Sequence, residues 1–200
     1  MYKRQSLLNT NVKFFAKFVY KFIKFKNLKD VIILGNSLGG HVGLIFSKLY
    51  PKLIKGLVLT GSSGLYENSM GDSYPKREDY NYIKERTEAV FFDPKIATKK
   101  IVDEVYETVN DRKKLIKILA MAKSAIRHNM SNDLPNILAE TAIIWGENDS
   151  VTPPEVADEF KKLLPNSQLF WIENCGHAPM MEHPEKFNSV MNSWLKEKKL

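Results

Sequence analysis

Hydrophobic and polar positions along this chain change period several times, and each change predicts an element of secondary structure. Short β-type runs predict strands at 31–34, 56–60, 141–145 and 168–172. Helical periodicity predicts helices at about 9–25, 38–50, 154–164 and 184–198, and further helices around 76–92, 94–109 and 111–129. Strands that alternate with helices over short connections pair in parallel. The pattern therefore predicts an α/β fold with helices on both faces of a parallel sheet.

The middle of the chain, residues 66–137, has no strand alternation and becomes polar and charged. This predicts a core formed by residues 6–65 and 138–200, interrupted by a helical insertion at 66–137. Loops that leave the carboxyl ends of parallel strands lie beside the ligand crevice, so the insertion is predicted to be a lid. A helical elaboration that adds only stability is the alternative.

Length and composition are those of one globular domain with an inserted subdomain, since 44% of the 200 residues are hydrophobic. The net charge of +7 comes mainly from lysines that are spread along helices and mixed with acids. Because no cluster combines arginines with aromatic residues, no nucleic-acid partner is predicted. Cys175 is the only cysteine, which excludes an internal disulfide and a cysteine-based zinc motif. A reducing, cytoplasmic location is the expectation.

Residues 9–25 are hydrophobic but carry lysines at every third or fourth position. The lysines interrupt the apolar core that a signal peptide needs, and the segment lacks the about 20 apolar residues of a spanning helix. The spacing instead predicts an amphipathic helix that packs against the sheet through Val12, Phe15, Val19, Phe22 and Ile23. A basic helix on a membrane surface is the alternative, which would bind anionic vesicles in a salt-sensitive manner.

The first five residues, Met1–Gln5, match the translation of a transposon end used to prepare sequencing libraries, with GTG read as the start codon. Processing remnants of this kind are excluded from fold reasoning. The natural protein sequence is then expected to begin near Ser6, within a gene.

The most informative segment is Gly-Asn-Ser-Leu-Gly at 35–39, which follows a β-type run and precedes a helical one. A serine in so sharp a strand-to-helix turn is forced toward strained backbone angles that lift its hydroxyl off the sheet edge. Gly35 and Gly39 are expected to leave room for the neighbouring chain. The pattern predicts a nucleophile elbow at Ser37, and a Gly/Ser turn that only leads into a helix is the alternative.

A serine nucleophile needs a base, ordinarily a histidine, and the histidine needs a carboxylate to fix its tautomer. Asp149 and His177 each follow the end of a predicted strand further along the chain. Because strand-to-helix loops of a parallel sheet emerge at its carboxyl edge, both are expected to converge on Ser37.

Other residues compete for these roles. Glu147 is a second candidate for the acid, Asp149 could instead cap the helix that follows it, and His177 could be a surface histidine. The histidines at 41, 128 and 183 have no H-x-x-x-H spacing, so no metal is predicted. Cys175 is expected to be a small buried thiol, since no elbow carries its sulfur.

Taken together, these segments resemble those of the α/β-hydrolase superfamily, especially its lidded members related to C–C bond hydrolases and small-molecule esterases. The resemblance runs from Ser6 to the end of the chain and rests on GNSLGG, WGENDSVTPP and NCGHAPMMEHPEKF in that order. It implies Ser37 as the nucleophile, His177 as general base and then acid, and Asp149 as the orienting carboxylate.

The resemblance also implies the surroundings of the reaction. The backbone N–H of Leu38 would be one oxyanion donor, and Asn36 and Arg127 are candidate substrate contacts, although a solvated helix arginine is the commoner case. A small molecule is the expected partner and no cofactor is needed; oligomeric state is not predicted. The expected substrates are small, partly apolar carbonyl compounds, cleaved at an ester, thioester, lactone or C–C bond.

The chain departs from the family pattern at its start. Family members have strands before the elbow helix, and a loop after one of them supplies a second oxyanion N–H, but no strand is predicted before residue 31. Loss of one oxyanion donor costs about a hundred- to a thousandfold in turnover, and a hydrophobic edge at 31–34 would favour aggregation. These 200 residues alone are therefore expected to be an insoluble or inactive fragment, with a non-catalytic binding protein of the same fold as the alternative function.

Overall fold

The computed structural model describes residues 11–67 and 76–200. The predicted remnant Met1–Gln5, the start of the core and part of the predicted insertion lie outside the described residues. The elements follow one another as α1 (Val12–Phe25), β1 (Val31–Asn36), α2 (Leu38–Leu49), β2 (Ile54–Thr60), α3 (Tyr80–Glu88), α4 (Lys99–Asn110), α5 (Arg112–Arg127), β3 (Glu140–Gly146), α6 (Pro154–Leu163), β4 (Ser167–Ile172), α7 (Pro179–Glu182) and α8 (Pro184–Lys198).

The strands of the described residues form one sheet in the order β1-β2-β3-β4, and each neighbouring pair is parallel. The register pairs the last residues of neighbouring strands, Asn36 of β1 with Thr60 of β2 and Gly146 of β3 with Ile172 of β4. The carboxyl ends of all these strands therefore share one edge, where the loops after them meet. The predicted α/β fold with a parallel sheet is confirmed.

Both faces of the sheet are covered, because alternate residues of the central strands point to opposite sides. Leu57, Leu59 and Ile143 belong to a core shared with α1, α2 and α6. Val58 and Ile144 belong to a second core, on the opposite face, that is closed by Phe187 and Trp194 of α8. This alternation makes the sheet the rigid base from which the carboxyl-edge loops project.

The β1 strand lies at the edge of the described sheet and is less covered than the others. Val31 and Ile33 pack against the α1/α2 side. On the opposite face, Ile32 is 38% exposed and Leu34 46% exposed, whereas the β2 residues beside them are buried. An apolar strand edge of this kind is a site for pairing with another strand.

The α1 helix agrees with its predicted period but not with every predicted contact. Val12, Ala16 and Ile23 are buried and Val19 packs against the same core, chiefly beside α2. The prediction that Phe22 faces the core is wrong, since this side chain is 50% exposed, next to the exposed Phe18 and Phe25. Residues 12, 16, 19 and 23 form one helical stripe, and Phe22 lies about 100° away from Ile23 around the axis.

The described part of the predicted insertion is helical, and its helices begin at side-chain caps. Asp79, Thr98 and Asp111 accept backbone N–H groups at the starts of α3, α4 and α5. The helix predicted from residue 94 begins only at Lys99, because a separate 3-10 turn at Pro94–Ile96 is capped by Asp93. Short α7 was not predicted. Within residues 11–67 and 76–200, every helix is too short or too polar to cross a bilayer.

Candidate active site

The turn after β1 holds Ser37 in a backbone conformation that is rare for any residue but glycine. Its φ is 52° and its ψ is −122°, a strain that costs about 1–3 kcal/mol where it is retained. Ser37 N–H donates to Thr60 O at 2.9 Å, and Ser37 O accepts from Ser63 N–H at 3.1 Å. The turn is thus fixed on both sides by the end of β2 and the residues after it.

The two glycines predicted to make room for this turn differ in their surroundings. A Cβ at Gly35 would collide with the carbonyl group of Gly39, whereas a Cβ at Gly39 would have no atom within 4 Å. Gly40 is the second close-packed position, since a Cβ there would collide with the Ser62 side chain. The tight strand-to-helix crossing therefore requires small residues at 35 and 40.

Asp149 and His177, which lie after β3 and β4, are brought together at the carboxyl edge. His177 Nδ1 is 2.9 Å from Asp149 Oδ2. The Asp149 side chain is fully buried, and the His177 side chain is 9% exposed. A carboxylate can only accept, so Nδ1 donates to Asp149, and Nε2 is the ring nitrogen that the carboxylate does not engage. The imidazole is therefore oriented to act as a base through Nε2.

The buried Asp149 carboxylate is saturated with donors, as a charge removed from water must be. Its Oδ1 accepts the N–H groups of Val151 and Thr152 at 2.8 and 2.9 Å. Its Oδ2 accepts the Thr152 hydroxyl at 2.8 Å as well as His177. The α6 helix has no side-chain cap, so the alternative role of Asp149 as a helix cap is not seen. Glu147, the other candidate acid, is exposed.

The His177 ring lies against the segment that follows β2, next to the Ser37 turn. A Cβ at Gly61 would come within 2.6 Å of His177 Nδ1. Asn36 Nδ2 donates to His177 O at 3.0 Å and to Thr60 O at 3.1 Å, which links the loop of the histidine to the residue before Ser37. Among the described residues, no hydrogen bond joins Ser37 Oγ to His177. Catalytic hydrogen bonds are often long before substrate binds.

The remaining candidates have the following positions. Leu38 is the first residue of α2, so its N–H is one of the amides at the helix start that no intrahelical carbonyl can accept. The amide group of Asn36, a candidate substrate contact, is engaged by Thr60 and His177. Arg127 is exposed at the end of α5.

The other histidines and the cysteine are occupied elsewhere. His41 Nε2 is 3.0 Å from His128 Nδ1, and burial, together with the charge of His128, lowers the pKa of His41 from 6.5 to about 4. His183 Nε2 bonds to Asn174 O at 2.9 Å. Cys175 is buried, and burial, followed by the influence of Glu182, raises the pKa of its thiol to about 12. Residues 11–67 and 76–200 contain no group of three or more histidine, cysteine or carboxylate side chains placed to hold a metal.

Sequence reasoning missed two residues that shape the site. Thr152 bridges the pair, because its hydroxyl lies 2.8 Å from Asp149 Oδ2 and 3.3 Å from His177 Nδ1. An aspartate followed three residues later by threonine is a local turn signal that could have suggested the contact within the loop. Gly61 has a φ of 45°, but its contact with a residue 116 positions away has no sequence signal.

The fold and the site together define the class of protein. A parallel α/β sheet that carries a strained serine turn and a buried aspartate–histidine pair at its carboxyl edge is typical of α/β enzymes. A model of the alpha/beta hydrolase family matches residues 9–190. The chain belongs to that family.

Several known proteins resemble the chain. The 2-hydroxy-6-oxo-6-(2'-aminophenyl)hexa-2,4-dienoic acid hydrolase of Metapseudomonas resinovorans is 30% identical over 88% of the chain and 64% of that enzyme. Lipase 1 of Psychrobacter immobilis is 25% identical over 76% of the chain and 51% of the lipase. A crystal structure of an alpha/beta hydrolase enzyme from the sediment metagenome of the Mar Chica lagoon, Morocco, is 49% identical with a TM-score of 0.78, over 98% of the chain and 75% of that protein.

These matches also show what share of its relatives' length the chain represents. The chain spans between 51% and 64% of the length of the curated relatives named above. The resemblance to the family is thus confirmed for a part of the relatives' length that includes the Ser37, Asp149 and His177 segments.

Proposed function

We propose that the chain carries the reactive centre of a serine hydrolase that forms an acyl-enzyme on Ser37. The observation that carries the proposal is the buried pair of His177 Nδ1 and Asp149 Oδ2 at 2.9 Å, whose ring packs on Gly61 beside the Ser37 turn. A serine turn alone would serve structure as well as chemistry. Burying a carboxylate that fixes the tautomer of a neighbouring histidine costs stability, and a catalytic role for the histidine explains why this cost is retained.

The proposed reaction has two halves, formation of the acyl-enzyme and its hydrolysis, and His177 transfers a proton in both. His177 Nε2 takes the proton of Ser37 Oγ as the oxygen attacks the carbonyl carbon, and the Leu38 N–H donates to the oxyanion. The tetrahedral intermediate collapses, and the leaving group departs with the proton held by His177. Water then attacks the acyl-enzyme with His177 as base, which releases the acid and restores Ser37.

The proposed substrates are small, partly apolar carbonyl compounds. The relatives include a hydrolase of a dienoic acid and a lipase, so cleavage of C–C, ester, thioester and lactone bonds falls within the proposal. Neither the aspartate–histidine pair nor the serine turn favours one of these bonds, because all of them pass through a tetrahedral intermediate.

We further propose that residues 66–137 form a lid over this centre. Two backbone carbonyls that follow α3 support it: Ala89 O accepts the Ser150 hydroxyl at 2.9 Å, and Val90 O accepts His177 N–H at 2.9 Å. The insertion thereby contacts the loops of both the proposed acid and the proposed base. A segment in this position can exclude water from the carboxyl edge when substrate binds.

The test is covalent labelling with a fluorophosphonate probe, followed by peptide mapping, carried out on the chain as part of the full-length protein, because these 200 residues alone are expected to be inactive. Such a probe reacts with a serine only when a neighbouring base activates it, so we expect label on Ser37 and none in Ser37→Ala. Ser193→Ala is the matched control, because Ser193 is exposed on α8, and it should label as the unmodified chain does.

A non-catalytic binding protein is the competing function, favoured by the lack of a Ser37–His177 hydrogen bond among the described residues. It predicts a folded chain that binds small carbonyl compounds but remains unlabelled. Folded, unlabelled protein would therefore overturn the serine hydrolase proposal, whereas label that moves to another serine would overturn the assignment of Ser37.

A further inference from the structure

The Glu182 carboxylate joins the loop of His177 to the segment that follows α3. One oxygen, Oε1, accepts Gly176 N–H at 2.7 Å. The other, Oε2, accepts Phe92 N–H at 2.8 Å and Asp93 N–H at 3.2 Å. The same side chain thus holds the residue before His177 and two residues of the proposed lid, which lie about 90 positions away in sequence.

The two backbones joined by Glu182 are packed against each other with no side chain between them. A Cβ at Gly176 would come within 2.6 Å of Val90 O and 2.9 Å of Phe92 N. His177 N–H donates to Val90 O at 2.9 Å. His177 is therefore attached to this segment through its own main chain and, through Gly176, by the carboxylate.

A carboxylate is the group that this position requires. Three backbone N–H donors converge on it, and the Cys175 thiol approaches Oε1 at 3.7 Å. Hydrogen bonds to an ionised acceptor are about twice as strong as neutral ones. An amide at the same place would present an NH2 group to one set of these donors and leave them unpaired.

We propose that Glu182 is a positioning residue for His177. By holding the loop of His177 to residues 92–93, Glu182 sets the position of the imidazole relative to the Ser37 turn. The inference rests on the proposed serine hydrolase function. It assigns Glu182 no contact with substrate. Its effect is on the alignment of His177 Nε2, and a misplacement of about 1 Å in such a group can cost about a hundredfold in rate.

The experiment measures the initial rate of fluorophosphonate labelling of Ser37, divided by the fraction of protein that labels at saturation. This division removes loss of activity that comes from unfolded molecules. We expect Glu182→Ala to slow labelling at least tenfold, and Glu182→Gln, which keeps one accepting oxygen, to fall between it and the unmodified chain. Glu185→Ala is the matched control because Glu185 is exposed three residues away, and it should remain within twofold.

A second measurement follows His177 without any reaction. The Nδ1–H proton held by Asp149 gives a downfield proton resonance, assigned by its absence in His177→Ala. We expect this resonance to broaden or disappear in Glu182→Ala, to persist weakly in Glu182→Gln and to be unchanged in Glu185→Ala. If Glu182→Ala does not fold, Glu182→Gln carries both measurements.

The outcomes separate the two proposals. A labelling rate within twofold of the unmodified chain in the Glu182 variants, or an unchanged resonance, would overturn the role of Glu182. A chain whose Ser37 never labels would overturn the hydrolase proposal. In that case the resonance alone decides whether Glu182 positions His177: its loss in the variant supports the role and its persistence refutes it.

Discussion

The substitution of Gly61 by alanine tests the contact between the His177 ring and the segment after β2. The added Cβ would lie 2.6 Å from His177 Nδ1 and 2.7 Å from Cε1, which is about 0.8 Å short of the 3.4 Å at which ordinary contact begins. Nδ1 is the atom bonded to Asp149 Oδ2. The ring must therefore move away from Gly61 and give up part of its alignment with Asp149.

Two separate losses are expected from Gly61→Ala. The φ of 45° is strained for alanine, and a residue held in such a region costs about 1–3 kcal/mol of unfolding free energy. For a chain of this size, each kcal/mol lowers the melting temperature by about 2–4 °C. The displaced ring should in addition slow labelling of Ser37 by about a hundredfold, as a shift near 1 Å does in other enzymes.

The assay compares Gly61→Ala with Gly64→Ala. Gly64 also has a positive φ, of 126°, but the three atoms nearest to its added Cβ would belong to Leu44, at 3.3 Å, and to His41, at 3.5 and 3.6 Å, and none of them to His177. Both variants should melt at lower temperature in a thermal scan. Only Gly61→Ala should label slowly per folded molecule, and equal labelling rates for the two variants would refute the reasoning.

Three further predictions follow from the buried groups. Asp149→Asn removes the accepting carboxylate from His177 and should slow labelling by about 10³- to 10⁴-fold. Glu147→Gln, at an exposed position, should stay within twofold. A similar effect of both substitutions would mean that the assignment of Asp149 as the acid is wrong. Cys175, whose thiol pKa is raised to about 12, should resist iodoacetamide at pH 8 until urea unfolds the chain, as read by mass spectrometry; rapid alkylation of folded protein would contradict its burial. His41, with a pKa lowered to about 4, binds a proton in the unfolded chain but not in the folded one between pH 6.5 and 4, so urea midpoints should fall as the pH falls through this window, and less so in His41→Phe.

The sequence predicted the order and type of most elements of the core because the hydrophobic period changes clearly at each boundary. The strands β1 to β4 and the helices α2, α6 and α8 fall within about two residues of their predicted bounds. The boundaries in the predicted insertion were less accurate, since α3 and α4 begin at Tyr80 and Lys99, directly after the capping residues Asp79 and Thr98, where local capping outweighs the hydrophobic pattern.

Phe22 shows where the pattern fails. Its spacing fits an apolar helical face. The apolar residues of α1, however, cover two faces of the helix, and the face that packs against α2 is the one that contains Val12, Ala16 and Ile23. Periodicity tells which residues share a face. It does not tell which of two apolar faces finds a partner.

By itself, the sequence determined that Ser37, Asp149 and His177 lie after strands and so at one edge of a parallel sheet, because chain direction and strand order alone fix that edge. Only the tertiary structure decided the contacts that give the site its geometry. Gly61 and Glu182 are examples, since one lies against His177 and the other holds its loop to residues 92–93. Such contacts join residues that are far apart in sequence, and they depend on how loops pack once the sheet has formed, which no local pattern of residues encodes.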